Sequence, residues 1–334
     1  MPDHFADLDL PILAELRGDL DRAFARAEAA RGAGRRPSAH RRRWALSAGG
    51  VALAGAAAAA IALTSGADSG HIAPAPASAA EALRRVAAVA ADAPAPVPRD
   101  DQYYYVKTRA TWLSMFAGKD PGHTHSASLV EHDREIWLSI DRTGKLVDRA
   151  VGSRPLTRAD ANRRQSPDGP AHSMDQPMNA IGHYFVGDEK LSRAALLAFP
   201  TEPRAIFDHL RARVGNRGHS PDGEVFTEIG DALRESPAPA ALRAGLYGAL
   251  ALVPGIELVG PVTDGAGRAG TAVALTEVGI RSELIFDPQS SELLAERDVL
   301  VDATKAEIEA PTGTVIGDAV YLRRAVTDDL APPR

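Results

Sequence analysis

The sequence predicts an α+β domain built on an antiparallel sheet and carried outside a membrane by one N-terminal transmembrane helix. Three observations lead there. Residues 45–65 read ALSAGGVALAGAAAAAIALTS, twenty-one positions without a charge. Downstream, the apolar period switches between 3.6 and two in blocks, in the order helix, strands, helices, strands. The turn-forming residues between successive strands are few, which is the spacing of hairpins rather than of βαβ crossovers. The chain divides accordingly into a cytoplasmic tail (1–43), a transmembrane helix (44–65), a linker (66–77) and an extracytoplasmic α+β domain (78–334).

The tail is expected to hold one amphipathic helix. After Pro11, residues Ile12, Leu16, Leu20, Phe24 and Ala27 recur at steps of four, four, four and three, while Glu15, Arg17, Asp19, Asp21, Arg22 and Arg26 take the other face. One helix cannot bury that stripe by itself, so it lies on the membrane, pairs with a copy of itself or docks on another protein. Leu16, Leu20 and Phe24 are the candidate partner-binding residues.

The uncharged run is long enough to span. At ~1.5 Å per helical residue, twenty-one residues cover about 31 Å, close to one hydrocarbon core. Leu46, Val51, Leu53, Ile61 and Leu63 contribute about −2 kcal/mol to insertion, so the crossing is marginal and its orientation rests on the flanks. Arg41, Arg42 and Arg43 stand immediately before it, and the first charge after it is Asp68. The arginines are the membrane-orientation residues, and they place the C-terminal part outside. A cleaved secretory signal with Ala77-Ser78-Ala79 at the processing site is the competing reading. It fits less well, because over forty residues precede the run and the run exceeds a signal's apolar segment.

Composition narrows the function classes. Residues 1–43 carry nine Arg against seven Asp and Glu, so with −6 overall the remainder holds −8. An acidic domain lacks the basic face that nucleic acid requires. The absence of cysteine excludes disulfides, thiolate metal sites and a cysteine nucleophile.

In the exterior domain, Ser78-Ala79-Ala80-Glu81 matches a capping box and opens a helix to about Ala91, with Leu83, Val86, Ala87 and Ala90 on one side. A strand from Tyr103 to about Trp112 alternates Tyr103, Tyr105 and Lys107 with Tyr104, Val106 and Thr108. Another, Arg134–Ile140, turns at Asp141-Arg142-Thr143-Gly144 into Lys145–Val151. Residues 152–182 read as a long polar loop. Helices follow at 191–199, at 202–213 with Thr201 as its cap, at 225–234 and at 237–252. Strands return at 256–262, 270–276, 280–286, 293–301 and 314–324.

Few motifs carry chemistry. Gly265-Ala266-Gly267-Arg268-Ala269-Gly270 fits G-x-G-x-x-G, but a strand follows where a dinucleotide site needs a helix, so it reads as a hairpin turn. His123, His125 and His132 are expected to be exposed loop histidines rather than zinc ligands. Asp298, Asp302, Glu307 and Glu309 lack Ca²⁺-loop spacing and read as a solvated edge. The Asp287 side chain is placed to bond backbone amides in a turn. No catalytic residue, cofactor or metal is expected.

With these residues in view the chain resembles a family of actinobacterial single-span membrane proteins often described beside extracytoplasmic-function sigma factors. The resemblance rests on the Arg-rich anchor, Ala80-Glu81-Ala82-Leu83, Tyr103–Thr108, Glu135-Ile136-Trp137 and Phe199-Pro200-Thr201-Glu202-Pro203. It is strongest in Ala241–Tyr247 with Pro254-Gly255-Ile256, then in Glu283–Pro288 and Thr314-Val315-Ile316-Gly317. It implies a layout similar to that of anti-sigma regulators, without the zinc-bearing H-x-x-x-C-x-x-C segment, and an exterior domain that looks like the half-barrel of periplasmic lipoprotein carriers.

The expected function is therefore a membrane-tethered regulator or sensor, anti-sigma-like, which links an exterior domain to a cytoplasmic partner such as a sigma factor. The alternative is an extracytoplasmic binding module for a lipid or other apolar ligand, with Tyr103, Tyr105, Trp112 and Trp137 lining a concave face. Against that stands ordinary core packing of the same aromatics.

Overall fold

The computed structural model describes residues 78–116, 126–162, 174–179, 181–215 and 217–333. The chain divides into two compact units, Met1–Pro74 and Ala75–Arg334, and every described residue belongs to the second. The tail helix with Leu16, Leu20 and Phe24, the arginines Arg41 to Arg43 and the uncharged run lie outside the described residues. Among the described residues, no helix is long and apolar enough to cross a membrane.

Nine strands form one antiparallel sheet. Its first half is a meander of β1 (Tyr103–Phe116), β2 (Ser126–Leu138), β3 (Gly144–Pro155) and the short edge strand β4 (Met174–Met178). Its second half is β7 (Glu257–Thr263), β8 (Ala269–Glu277), β9 (Ile280–Phe286), β10 (Leu293–Leu300) and β11 (Val315–Thr327). The spatial order is β4-β3-β2-β1-β11-β10-β9-β8-β7, so the halves join where the first strand pairs with the last. A separate hairpin, β5 (Tyr184–Val186) with β6 (Glu189–Leu191), leads into the helices.

Among the described residues the helices are α1 (Ala79–Asp92), the short α2 (Arg158–Asn162) and α3 (Arg193–Leu197), then α4 (Pro203–Val214), α5 (Pro221–Glu235), α6 (Ala240–Leu250) and the single turn α7 (Ala303–Ala306). The main core joins α1 and α3 to α6 with one face of the sheet: Leu83, Val86, Ile206, Ile229, Leu246 and Tyr247 pack with Ala110, Val273, Leu284, Phe286, Ala319 and Tyr321. Burying side chains of this size contributes about 1.5–3 kcal/mol each. Two motifs singled out in the sequence meet here. A side chain at Gly245 of α6 would lie 2.2 Å from the Thr201 carbonyl oxygen, and one at Gly248 would lie 2.4 Å from Pro203. The glycines thus let α6 approach the start of α4 at backbone distance. Tyr247 reaches the sheet, with its ring edge-to-face on Phe286 at 5.7 Å and its hydroxyl donating to the Ser291 carbonyl at 2.9 Å.

The predicted α+β class with an antiparallel sheet agrees with this architecture, and the differences are local. Ser78 caps α1 by accepting from the Glu81 amide, while Glu81 pairs with Arg85 one turn on. β2 begins at Ser126, eight residues before the predicted strand. The predicted loop 152–182 contains the end of β3, α2 and β4; Pro177 is tolerated because β4 is an edge strand. Thr201 does not cap α4: Glu202 is the N-cap, no side-chain cap bond forms, and Pro203 opens the helix. Ser220 caps α5 four residues earlier than expected. The 265–270 glycines do form the β7–β8 turn, where Asp264 accepts from the Ala266 and Arg268 amides and from the Arg268 side chain. Asp287 accepts from the Gln289 amide and the Ser290 hydroxyl, as the turn predicts.

Candidate functional site

Strand pairing sets a row of polar side chains on the helix-covered face. Thr108 of β1 stands opposite Arg134 of β2 on one side and Tyr321 of β11 on the other, and Arg134 stands opposite Asp148 of β3. Two residues along, Ala110 pairs with His132 and with Ala319, and Ala110, Ala319 and Tyr321 all belong to the helix-side core. Successive side chains on a strand alternate faces, so Thr108, Arg134, Asp148 and Tyr321 point the same way as that core. All four are buried.

The row is charged, and its charges are unequally matched. His132 Nδ1 lies 2.7 Å from Asp148 Oδ1. From the helix layer, the end of α5 brings Arg234, which bonds both Glu296 oxygens at 3.1 Å, Asp231 at 2.6 Å and Glu235 at 3.3 Å. Burial alone would pull the pKa of Arg234 down; the three carboxylates outweigh it and hold the guanidinium well above its ordinary value. Arg134 is the opposite case. It is 6% exposed, and although its backbone is paired in the sheet its guanidinium has no hydrogen-bond or ion-pair partner among the described residues. Burial lowers its pKa, and the more distant charges of Glu235 and Asp148 offset only part of that. A buried cation without a bonded counter-ion costs several kcal/mol, of which Glu235 and Asp148 return a part through space.

Further polar atoms on this row and at the end of α5 are unmatched. The Tyr321 hydroxyl is buried without a partner of hydrogen-bond geometry, although burial and then the Glu296 carboxylate push its pKa well up. Ser236, next in the chain after Glu235, has a buried hydroxyl without a partner. Arg324, whose guanidinium lies 4.6 Å from the Tyr321 ring centroid, donates to the carbonyls of Arg234 and Leu293 but leaves Nη2 unpaired.

A second cluster holds the β5–β6 hairpin to the helices. Glu228 of α5 is 4% exposed; its Oε1 is 2.5 Å from Arg217 Nη2, and its Oε2 has no hydrogen-bond partner. Arg217 also lies 3.6 Å from Asp188 in the hairpin turn and 3.8 Å from Glu224. Burial pushes the Glu228 carboxyl up to about 7, against the pull of Arg217 and with help from Asp188 and Glu224. Beside it, His209 bonds Glu189 at 2.5 Å and Arg213 bonds Asp188 at 2.9 Å.

The four aromatics named for a ligand-lined face fall on two faces. Tyr103, Tyr105 and Trp137 cluster with Val147 on the side away from the helix-side core, whereas Trp112 packs against that core. The parity of 103, 105 and 112 requires this, and Tyr105 stands directly opposite Trp137 in the register. Tyr105 and Trp137 are in tilted contact at 4.9 Å, the Tyr105 hydroxyl donates to Glu135, and Arg142 lies over the Tyr103 ring at 4.7 Å. These rings are packed, which is the competing reading of the sequence. His132 is also corrected: it sits within β2 and is bonded to Asp148, not in a loop. His123 and His125 lie outside the described residues. Asp298 is bonded to the Ser282 hydroxyl at 2.7 Å and Asp302 caps α7, so the acidic run serves the sheet end rather than a solvated edge alone. Among the described residues, no three His, Asp or Glu side chains converge as a metal site.

Sequence reasoning passed over Arg134, Asp148 and Glu228. The signal for Arg134 was present: it shares parity with Ile136 and Leu138, which places a guanidinium on an apolar face. No family model, no curated protein and no solved structure matches this chain.

Proposed function

We propose that this chain is a membrane-tethered regulator. Residues 44–65 cross the bilayer once, the tail 1–43 stays in the cytoplasm, and the α+β domain stands outside as the sensing part. The observation that carries this reading is the uncharged run with Arg41, Arg42 and Arg43 before it and a compact unit from Ala75 onward after it. The nine-stranded antiparallel sheet, helix-covered on one face, supports a half-barrel description of that domain. In this reading the tail helix offers Leu16, Leu20 and Phe24 to a cytoplasmic partner, a sigma factor in the anti-sigma-like version. The alternative, exterior binding of a purely apolar ligand, loses its motive once the aromatics divide between two faces.

The test is a pull-down with the full-length chain from the membrane fraction. Leu16→Asp, Leu20→Asp and Phe24→Asp together are expected to remove the partner recovered with the unaltered chain. Equal recovery by both proteins would refute the tail's role and leave the exterior domain to be explained by itself.

A further inference from the structure

We propose that Arg134 anchors a carboxylate-binding site between the sheet and the C-terminal end of α5. Two buried guanidiniums lie close together, yet Arg234 is bonded by three carboxylates while Arg134 touches none among the described residues. A largely buried guanidinium without a bonded counter-ion carries a desolvation cost that no ion pair repays. Its five N–H groups form a planar fork that matches a carboxylate bidentately, a geometry that water satisfies less fully.

The surroundings supply further unused donors. The Tyr321 hydroxyl shares the cross-strand row with Arg134 through Thr108, Ser236 follows Glu235, and Arg324 Nη2 lies beside the Tyr321 ring. Each is a donor without an acceptor in hydrogen-bond geometry, although the Glu296 carboxylate acts on Tyr321. Arg134, Arg234 and Arg324 are set against Asp148, Asp231, Glu235 and Glu296, a net charge of −1, so a dianion meets more repulsion than a monoanion, and a single carboxylate would be held by the fork of Arg134 rather than by the net charge. The carboxylate is therefore that of a small organic acid or the head of a fatty acid. The site stands on the geometry of the folded domain, whichever side of the membrane that domain occupies.

Thermal unfolding of the full-length chain in a mild non-ionic detergent tests this, with sodium acetate, sodium octanoate, potassium phosphate and sodium chloride compared at matched ionic strength. A saturable rise in Tm with acetate and octanoate alike indicates a site for a small acid, and a rise with octanoate alone indicates an acid with an apolar tail. Both support the proposal. Arg134→Gln is expected to weaken the carboxylate response at least tenfold and to raise the Tm of the unliganded protein, and Tyr321→Phe to weaken the response several-fold with folding intact. The proposal is overturned by the absence of a saturable carboxylate effect, by an equal effect of phosphate or chloride, or by an unchanged response in Arg134→Gln. Failure of Arg134→Gln to fold would overturn it too, because it would make the guanidinium a structural support.

Discussion

Glu228 makes the stability of the domain depend on pH in a direction opposite to that of most carboxylates. In the folded chain its carboxyl is pushed up to about 7, first by burial and then by Asp188 and Glu224, with Arg217 opposing. The reference value is 4.5. Between these two values the folded state binds more protons than the unfolded state, so stability falls as pH rises. At 1.36 kcal/mol per pKa unit, the stabilisation present below pH ~4.5 and lost by pH ~7 is about 3 kcal/mol. Glu228→Gln keeps the shape and removes the titration. The assay is urea unfolding of the full-length chain in detergent, followed by the fluorescence of its three tryptophans, of which Trp112 and Trp137 lie in the domain, at half-unit steps from pH 4.5 to 8. The difference between wild type and Glu228→Gln isolates this group from Asp318, whose pKa is raised by burial and shifts the background in the same sense. The variant is expected to gain on the wild type steadily through that window. A difference that stays flat with pH would refute the reasoning, and one of opposite slope would mean that Arg217 dominates over burial.

Two further outcomes follow from the packing between helices and sheet. Gly245→Ala adds a methyl group 2.2 Å from the Thr201 carbonyl oxygen and 2.6 Å from Ile206. The substitution gains about 1 kcal/mol of helix propensity but overpacks a backbone contact, so a net loss of about 2 kcal/mol or more is expected in urea unfolding. A stabilised Gly245→Ala protein would show that α6 and the start of α4 do not meet as described. Tyr247→Phe keeps the ring against Phe286 and leaves the Ser291 carbonyl unpaired, so it should cost about 1–2 kcal/mol by the same assay. An unchanged midpoint would remove that bond from the account.

Much of the fold was legible because its periods are clean. Ile280–Phe286 was read at the observed bounds, and the Ala266–Gly267 turn was recognised because the segment after it alternates like a strand. What stayed hidden has physical causes. Residues 174–178 form an edge strand that pairs on one side only, so its sequence needs no apolar alternation and its Pro177 reads as a loop. The β5–β6 hairpin is three residues per strand, too short for any period to appear. Thr201 looked like a cap because its side chain is of the right type, but Pro203 at the first turn removes a donor that a cap would serve. The candidate site was partly legible. Strand parity alone puts Arg134 with Ile136 and Leu138, yet only the register reveals that Thr108, Asp148 and Tyr321 share its row, and only the packing reveals that Asp231 and Glu235 of α5 and Glu296 of β10 pair with Arg234 while none pairs with Arg134.

The central claim is a single crossing with the arginines inside, and the chain's lack of cysteine makes it directly measurable. Ser38→Cys in the tail and Thr304→Cys, at an exposed position of the domain, each give a protein with one thiol. A membrane-impermeant maleimide applied to intact cells is expected to label Thr304→Cys at once and Ser38→Cys only after lysis. Labelling of Ser38→Cys in intact cells with Thr304→Cys protected would contradict the account, as would a mature product from which the residue-38 thiol is missing.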